Sequence, residues 1–306
     1  NPAKMRDVSL TVILQILTFP CWTGKAAADA DDAVCSAGGS CIPGVGKAPE
    51  RPYIWPMARG PIGSHATSPY QGPRNLSSSL DWKWHQPGAR FGPASNGAML
   101  IDDKKNLYTQ YVGSIYKFTP NGRLVWRYNI EGGSNDIPAL MDGVLYVTGW
   151  AGHIEAISME SGSRVWKSAS VCSWKTTTVS KCHPSCDCNS IGPDIAAVGA
   201  HKGVVLVRTH QPTGGGACRA AALNASNGEF LWDYATDHMV WNFYPMFTDD
   251  GESFLFQDST GGVYRLGLDG REIWKSGVNF ENWYETWTDG GVQTGPNGVV
   301  YVVKAL

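Results

Sequence analysis

One apolar-alternating hairpin that occurs four times, five tryptophans at a near-constant interval and a glycine-bearing turn in each copy predict an all-β chain, a β-propeller of four-stranded blades. The copies are Gly113–Trp126 (GSIYKFTPNGRLVW), Gly152–Trp166 (GHIEAISMESGSRVW), Cys218–Trp232 (CRAAALNASNGEFLW) and Gly262–Trp274 (GVYRLGLDGREIW). In each, a glycine (Gly122, Gly162, Gly228 or Gly270) stands four residues before the closing tryptophan. The pairs Asn121-Gly122, Asn227-Gly228 and Asp269-Gly270 supply the positive φ that tight hairpin turns require. Trp84, Trp126, Trp166, Trp232 and Trp274 lie 42, 40, 66 and 42 residues apart. That is a period of about 41 residues broken by one insertion of about 25, and four-stranded blades have this length.

The other two strands of each unit precede the hairpin. β-rich runs at Leu107–Val112, Val144–Thr148, Val204–Thr209, Phe254–Gln257 and Val299–Val303 mostly follow turn signals such as Asp142-Gly143, Asp250-Gly251 and Asn297-Gly298. Short segments containing Pro93, Pro138, Pro193 and Pro245 come before them and supply a fourth strand. A lone blade cannot bury both of its faces, so consecutive sheets must pack, and a tryptophan at one repeated place is a natural filler between them. About four and a half blades are visible, where such rings close with seven or eight. The pattern at Val302–Leu306 calls for a further hairpin, so the chain is expected to be incomplete.

Ala156–Trp166 (AISMESGSRVW) and Ala222–Trp232 (ALNASNGEFLW) resemble the tryptophan-docking motif of quinoprotein-type propellers, A-x-D-x-x-x-G-K-x-x-W, with Ser158 and Asn224 in place of the aspartate. Ile54–Gly60 (IWPMARG) resembles the WPM-x-R opening of such domains, so the likeness runs from about Trp55 to Leu306. The resemblance implies the fold. For function it implies two classes, dehydrogenases carrying pyrroloquinoline quinone and propellers that carry no cofactor.

The N-terminal 30 residues read as a secretory signal peptide with a few residues upstream of Met5: Arg6 is followed by the apolar run Val8–Phe19 and by small residues at Ala26–Ala30. The run is too short for a spanning helix. Residues 31–79 form a Gly/Pro/Ser-rich arm expected to lie along the surface, and 80–306 carry the blades. Cys35 and Cys41 suit a small disulfide loop. The insertion at about 168–192 holds Cys172, Cys182, Cys186 and Cys188, and Cys218 opens the third hairpin. In an oxidising compartment a disulfide-clipped loop is the first reading; zinc is the second, although the C-x-C step strains tetrahedral ligation. Asn75-Leu76-Ser77 and Asn224-Ala225-Ser226 are glycosylation sequons in a eukaryotic setting, although Asn224 sits in the docking motif, where its side chain is expected to face the turn and not a sugar.

Charge excludes one class. The 25 Lys+Arg are scattered among 27 Asp+Glu, with no basic stripe to neutralise phosphates. Function is sought on the connections that follow each docking tryptophan, since these rim the central channel. Trp241 and Trp283 lie nine residues after Trp232 and Trp274, and the same offset from Trp126 gives Asn135. With Asp136, His238, Asn242, Asn282 and Glu285 they combine aromatic faces with amides and carboxylates. Such a set suits a flat polar ligand or an oxygen-ligated calcium ion, and equally a structural cap on the blades. No haem-attachment motif, nucleophile elbow, Walker loop or H-E-x-x-H is present. The expected role is a secreted binding or scaffold propeller with a protein or small-molecule partner at its rim and no membrane span once the leader is removed. The alternatives are a dehydrogenase using pyrroloquinoline quinone with calcium, and a wall or surface protein held by its arm.

Overall fold

A computed structural model of the chain describes residues 52–63, 66–68, 70, 82–84, 99–111, 113–134, 137–149, 152–170, 198–209, 217–240, 243–276, 288, 291–295 and 298–303, with the backbone alone at Thr209, Ala217, Cys218 and Met239. Its elements are all strands. The first blade contains β1 (Met99–Ile101), β2 (Leu107–Tyr111), β3 (Ser114–Phe118) and β4 (Leu124–Asn129), hydrogen-bonded in that order. The second contains β5 (Ala139–Met141), β6 (Val144–Gly149), β7 (His153–Ser158) and β8 (Arg164–Lys167), and the third β9 (Gly199–His201), β10 (Val204–Thr209), β11 (Ala217–Asn224) and β12 (Phe230–Val240). The fourth contains β13 (Met246–Phe247), β14 (Ser253–Gln257), β15 (Val263–Gly267) and β16 (Glu272–Ser276); β17 (Val292–Thr294) and β18 (Val300–Val302) open a fifth. All pairings are antiparallel. Pro138 and Pro245 precede β5 and β13, as expected of residues that cannot donate to a ladder. Pro93, Pro193 and the N-terminal 30 residues lie outside the described residues.

One irregularity repeats in every blade. The tryptophan of the outer strand faces a residue of the third strand (Lys117↔Trp126, Ala156↔Trp166, Ala222↔Trp232, Arg265↔Trp274), and the register shifts immediately beside that pair. The extra residue is the aliphatic one before the tryptophan: Val125, Val165, Leu231 or Ile273. A β-bulge re-aims the side chains beside it. Here Val125, Leu231 and Ile273 remain exposed, while the indoles lie half-buried between sheets.

Each indole meets the turn glycine of the next blade. Trp126 lies on Gly162, Trp166 on Gly228 and Trp232 on Gly270, all three glycines having positive φ. The indole Nε1 donates to a carbonyl of the same turn: Trp126 to Met159 (3.1 Å), Trp166 to Ala225 (2.9 Å) and Trp232 to Leu268 (2.8 Å). The first contact of the series belongs to Trp82, where the 42-residue spacing pointed to Trp84. Trp82 lies on Gly122 and donates to Pro120 O at 2.9 Å. Trp84 instead packs its ring against Tyr116 and Phe118. With no described strand around it, the spacing had no register to choose between two tryptophans two residues apart.

The arm also departs from expectation over part of its length. Tyr53–Ile62 packs on the innermost strands instead of running over the surface. Trp55 exchanges both backbone hydrogen bonds with Ile101 of β1, and Pro56 O accepts from Leu140 N of β5. Tyr53 OH accepts from Gly143 N at 2.7 Å, and burial pushes its pKa up to about 12. Met57 is buried in a core shared by the second, third and fourth blades, while Tyr53, Trp55 and Ala58 cover the core between the first and second.

The glycine contact makes a comparison possible. A Cβ at Gly162 would stand 2.7 Å from the Trp126 ring at φ +72°, whereas one at Gly203, at φ +75°, meets nothing within 4 Å. Both substitutions by alanine strain the backbone, and only the first adds overlap. Gly162→Ala is therefore expected to lower the unfolding free energy by about 1–3 kcal/mol more than Gly203→Ala, read from urea midpoints.

Candidate functional site

In each blade the turn between second and third strands and the connection from the outer strand to the next inner strand lie at the same end of the sheet. These connections span 130–138, 168–198, 241–245 and 277–291. Of the rim residues named from sequence, Asn135, Asp136, Trp241, Asn242, Asn282, Trp283 and Glu285 lie outside the described residues. So do Cys35, Cys41, Cys172, Cys182, Cys186 and Cys188; Cys218 is placed in β11 by its backbone. His238 is described, and it stands within β12, not in a loop: the outer strand of the third blade runs on to Val240, where Ala217 pairs with it. Thr236 Oγ1 donates to the His238 carbonyl at 2.6 Å.

What the described part of this end brings together is a set of charged links between blades. At the seam of the first and second blades, Glu155 of β7 is fully buried. It accepts from Tyr128 OH of β4 and, at 2.9 Å, from Glu131 N, and Arg164 approaches it at 3.5 Å. Burial, with the hydrogen bond to Glu155, pushes the Tyr128 pKa up to about 12. The Glu131 side chain reaches the other way, to Lys167 Nζ at 2.7 Å. That hydrogen bond and charge hold its carboxyl below the ordinary range.

The acid–lysine pair recurs at the seam of the third and fourth blades, where the tyrosine takes a carboxylate of the outer strand instead of the third. Tyr234 OH donates to Glu272, and Asp237 pairs with Lys275 at 2.8 Å, which raises the lysine pKa. The positions correspond. Tyrosine stands two residues after its tryptophan (Trp126, Trp232), the acid five after, and the lysine one after the next blade's tryptophan (Trp166, Trp274). This pattern was present in the sequence and was overlooked because charged residues on outer strands pass for solvated surface. The seam between the second and third blades has Ser168 two residues after Trp166, and its position five after, Val171, lies outside the described residues.

A second repeated feature is polar and buried. Two residues beyond the second-strand position opposite the tryptophan pair stand Gln110, Thr148, Arg208 and Gln257, one per blade and each at most 4 % exposed. Gln257 Nε2 donates across the seam to Val303 O at 2.9 Å. Among the described residues neither amide atom of the buried Gln110 has a hydrogen-bond partner. On the segment that packs against the inner strands, the Arg59 guanidinium stacks 4.9 Å from the Tyr244 ring centre, and burial lowers its pKa. A Cβ at Gly291 would stand 2.5 Å from an Arg59 nitrogen, so this close approach requires glycine there.

These donors can be tested against a quinone with calcium. Calcium needs several carboxylate or carbonyl oxygens aimed at one point. Glu155 is committed to its seam, and Asp102 and Asp258 to their own turns and to Tyr108 and Tyr264. Among the described residues no three His, Cys, Asp or Glu side chains converge. The rim residues on which a quinone–calcium pair would depend, Asn135, Asp136, Trp241, Asn242, Asn282, Trp283 and Glu285, lie outside the described residues.

A family model described as outer membrane protein assembly factor BamB matches residues 79–240, more than half of the chain. No curated protein matches it by sequence. Among solved structures it is similar to a quinohemoprotein alcohol dehydrogenase from Pseudomonas putida (15% identity, 58% of this chain, 33% of that chain, TM-score 0.45). It is also similar to BamB from Moraxella catarrhalis (18%, 67% and 71%, TM-score 0.34) and to Sqt1 from Saccharomyces cerevisiae (12%, 67% and 56%, TM-score 0.43). The chain spans about a third of the length of the quinohemoprotein alcohol dehydrogenases it matches.

The seam chemistry predicts two unequal losses. Glu155→Ala leaves the Tyr128 hydroxyl and the Glu131 amide without their acceptor, at a cost on the order of 2 kcal/mol or more in unfolding free energy. Lys167→Met has the smaller effect, confined by pH. Because the Glu131 pKa is depressed in the folded state, its contribution is present above the ordinary carboxylate range and fades as pH falls through the folded value. The Lys167→Met and parent denaturation midpoints should differ at neutral pH and converge in acid.

Proposed function

The chain belongs to the PQQ-like-repeat β-propeller family whose model is described as outer membrane protein assembly factor BamB, and from that premise we propose that it is a secreted binding or scaffold propeller that engages a protein partner with its connection end. One observation carries this reading. The chain's own segment Tyr53–Ile62 is bonded to the inner strands of the first and second blades and sends Arg59 to Tyr244 and Gly291, on the connections into the fourth and fifth. The chain's own residues thereby tie the inner strands to the connections into the fourth and fifth blades, which supports a scaffold.

The carboxylates support the same reading. Glu131, Glu155, Asp237 and Glu272 serve contacts between blades, and Asp102 and Asp258 serve their own turns, which is the chemistry of a stiff platform. A stiff platform presents variable connections without rearranging beneath them. Among the described residues no helix is long and apolar enough to cross a membrane.

The second reading is a pyrroloquinoline quinone-dependent alcohol or sugar dehydrogenase, with Trp241 and Trp283 flanking the quinone and Asn135, Asp136, Asn242, Asn282 and Glu285 supplying oxygens and amides. The equal offset of Trp241 and Trp283 from the two preceding tryptophans favours it. Titrating the full chain with the quinone, with and without calcium, separates the two. The binding reading expects no saturable quenching of tryptophan fluorescence. Saturable, calcium-dependent quenching, lost in Trp241→Phe with Trp283→Phe, overturns it in favour of the dehydrogenase.

A further inference from the structure

The turn that joins β11 to β12 carries the sequence Asn224-Ala225-Ser226, and in the folded chain it does two separate things with its two sides. Toward the neighbouring blade it offers Ala225 and Gly228. The Ala225 carbonyl accepts Trp166 Nε1 at 2.9 Å and Tyr146 OH at 3.4 Å, and the Trp166 ring lies against Gly228. Away from that contact, Ser226 and Asn227 are exposed. Asn224 stands at the motif position of Ser158, and its half-buried side chain divides between the two environments.

Its oxygen faces the turn. Asn224 Oδ1 accepts from Ser226 N at 2.9 Å and from Ser226 Oγ at 2.7 Å. A backbone N–H only donates, so the amide orientation is fixed: the atom facing it must be the oxygen. The carboxamide is planar, and holding Oδ1 inward leaves Nδ2 on the side away from Ser226. Among the described residues Asn224 Nδ2 has no hydrogen-bond partner, and it is not one of the unpartnered polar atoms that are buried. The turn is fixed by backbone bonds, Asn224 N to Glu229 O and Gly228 N to Asn224 O, both 2.8 Å. An aspartate at this position would cap the turn equally well with its oxygen. It has no nitrogen to spare.

We propose that Asn224 is an N-glycosylation site. The step is a group transfer from a lipid-pyrophosphate-linked oligosaccharide. Nδ2 forms a bond to C1 of the first sugar, the bond from C1 to the pyrophosphate oxygen breaks, one amide proton is released, and the lipid pyrophosphate leaves. The product keeps Oδ1 in the turn, so the glycan is added without breaking the hydrogen bonds to Ser226 or the contact of Trp166 with Gly228. It stands at the hairpin-turn end of the third blade and leaves the connection end clear, which suits a partner bound there. The proposal rests on the reading of the chain as secreted.

The test uses the full chain with Asn75→Gln, so that one sequon remains, in a eukaryotic secretory host. It is made once with its own N-terminal segment and once with residues 1–30 replaced by a proven leader. Protein is taken from the secretory compartments as well as the medium, so slow release does not hide the result. Treatment with an amide-cleaving N-glycosidase in heavy-oxygen water should convert Asn224 to a labelled aspartate, seen by peptide mass. Ser226→Ala should abolish the label and Ser226→Thr should keep it. Leader-directed protein that enters the compartment and carries no glycan overturns the proposal. Glycan on the leader-directed form, with the own-segment form retained in the cytosol, removes the secretory reading and leaves the site standing.

Discussion

The contact of an indole with the positive-φ glycine of the next turn is the constraint from which the rest of the structure follows. A flat ring can rest on a backbone only where no Cβ intervenes, and at Gly122, Gly162, Gly228 and Gly270 a Cβ would lie 2.5–2.7 Å from the ring. The indole nitrogen finds its acceptor in the same turn, so one side chain fixes both the distance and the rotation of the neighbouring sheet. The bulge before each tryptophan belongs to this device. Inserting Val125, Val165, Leu231 or Ile273 turns the ring toward the next blade and leaves the aliphatic residue on the other face.

Around that contact the seams differ. Two carry a tyrosine–carboxylate bond and an acid–lysine pair; among the described residues the seam between the second and third blades has the hydrogen bonds of Trp166 and Tyr146 to the Ala225 carbonyl and an apolar core. Its core cluster runs from Ala139 and Tyr146 through Val205, Leu206 and Ala222 to Phe254. The 66-residue interval between Trp166 and Trp232 falls on this seam, and the long connection leaves β8 there.

Much of the fold was legible in the sequence because the repeat wrote it four times. Four copies of a hairpin with a fixed glycine-to-tryptophan spacing determine strand order, antiparallel pairing and the turns. The choice between Trp82 and Trp84 was not legible, since both are apolar and two residues apart, and one face of a strand takes either. Nor was the inward course of Tyr53–Ile62, because glycine, proline and small residues read as surface linker when no partner strand is known; Ile101 and Leu140 supply that partner. The candidate site was the least legible. Rim residues were inferred from equal offsets after each tryptophan, but the connections vary from 241–245 to 168–198, so an offset does not fix a place. In the one case that is described, His238, the strand continues through the supposed loop.

The two ends of the blades are therefore under opposite demands. At the hairpin-turn end the third and outer strands are joined by 119–123, 159–163, 225–229 and 268–271, nearly one length, because each turn must offer a bare glycine and an aimed carbonyl to the indole beside it. Substitution there is limited to side chains that leave the backbone course alone, as Asn224 does with its oxygen turned inward. At the other end the connections range from 241–245 to 168–198, with links such as Glu131–Lys167 and Asp237–Lys275 joining blades there. A propeller docked through its turns can vary the length of its connections from blade to blade while the indole–glycine contacts that join its sheets stay the same.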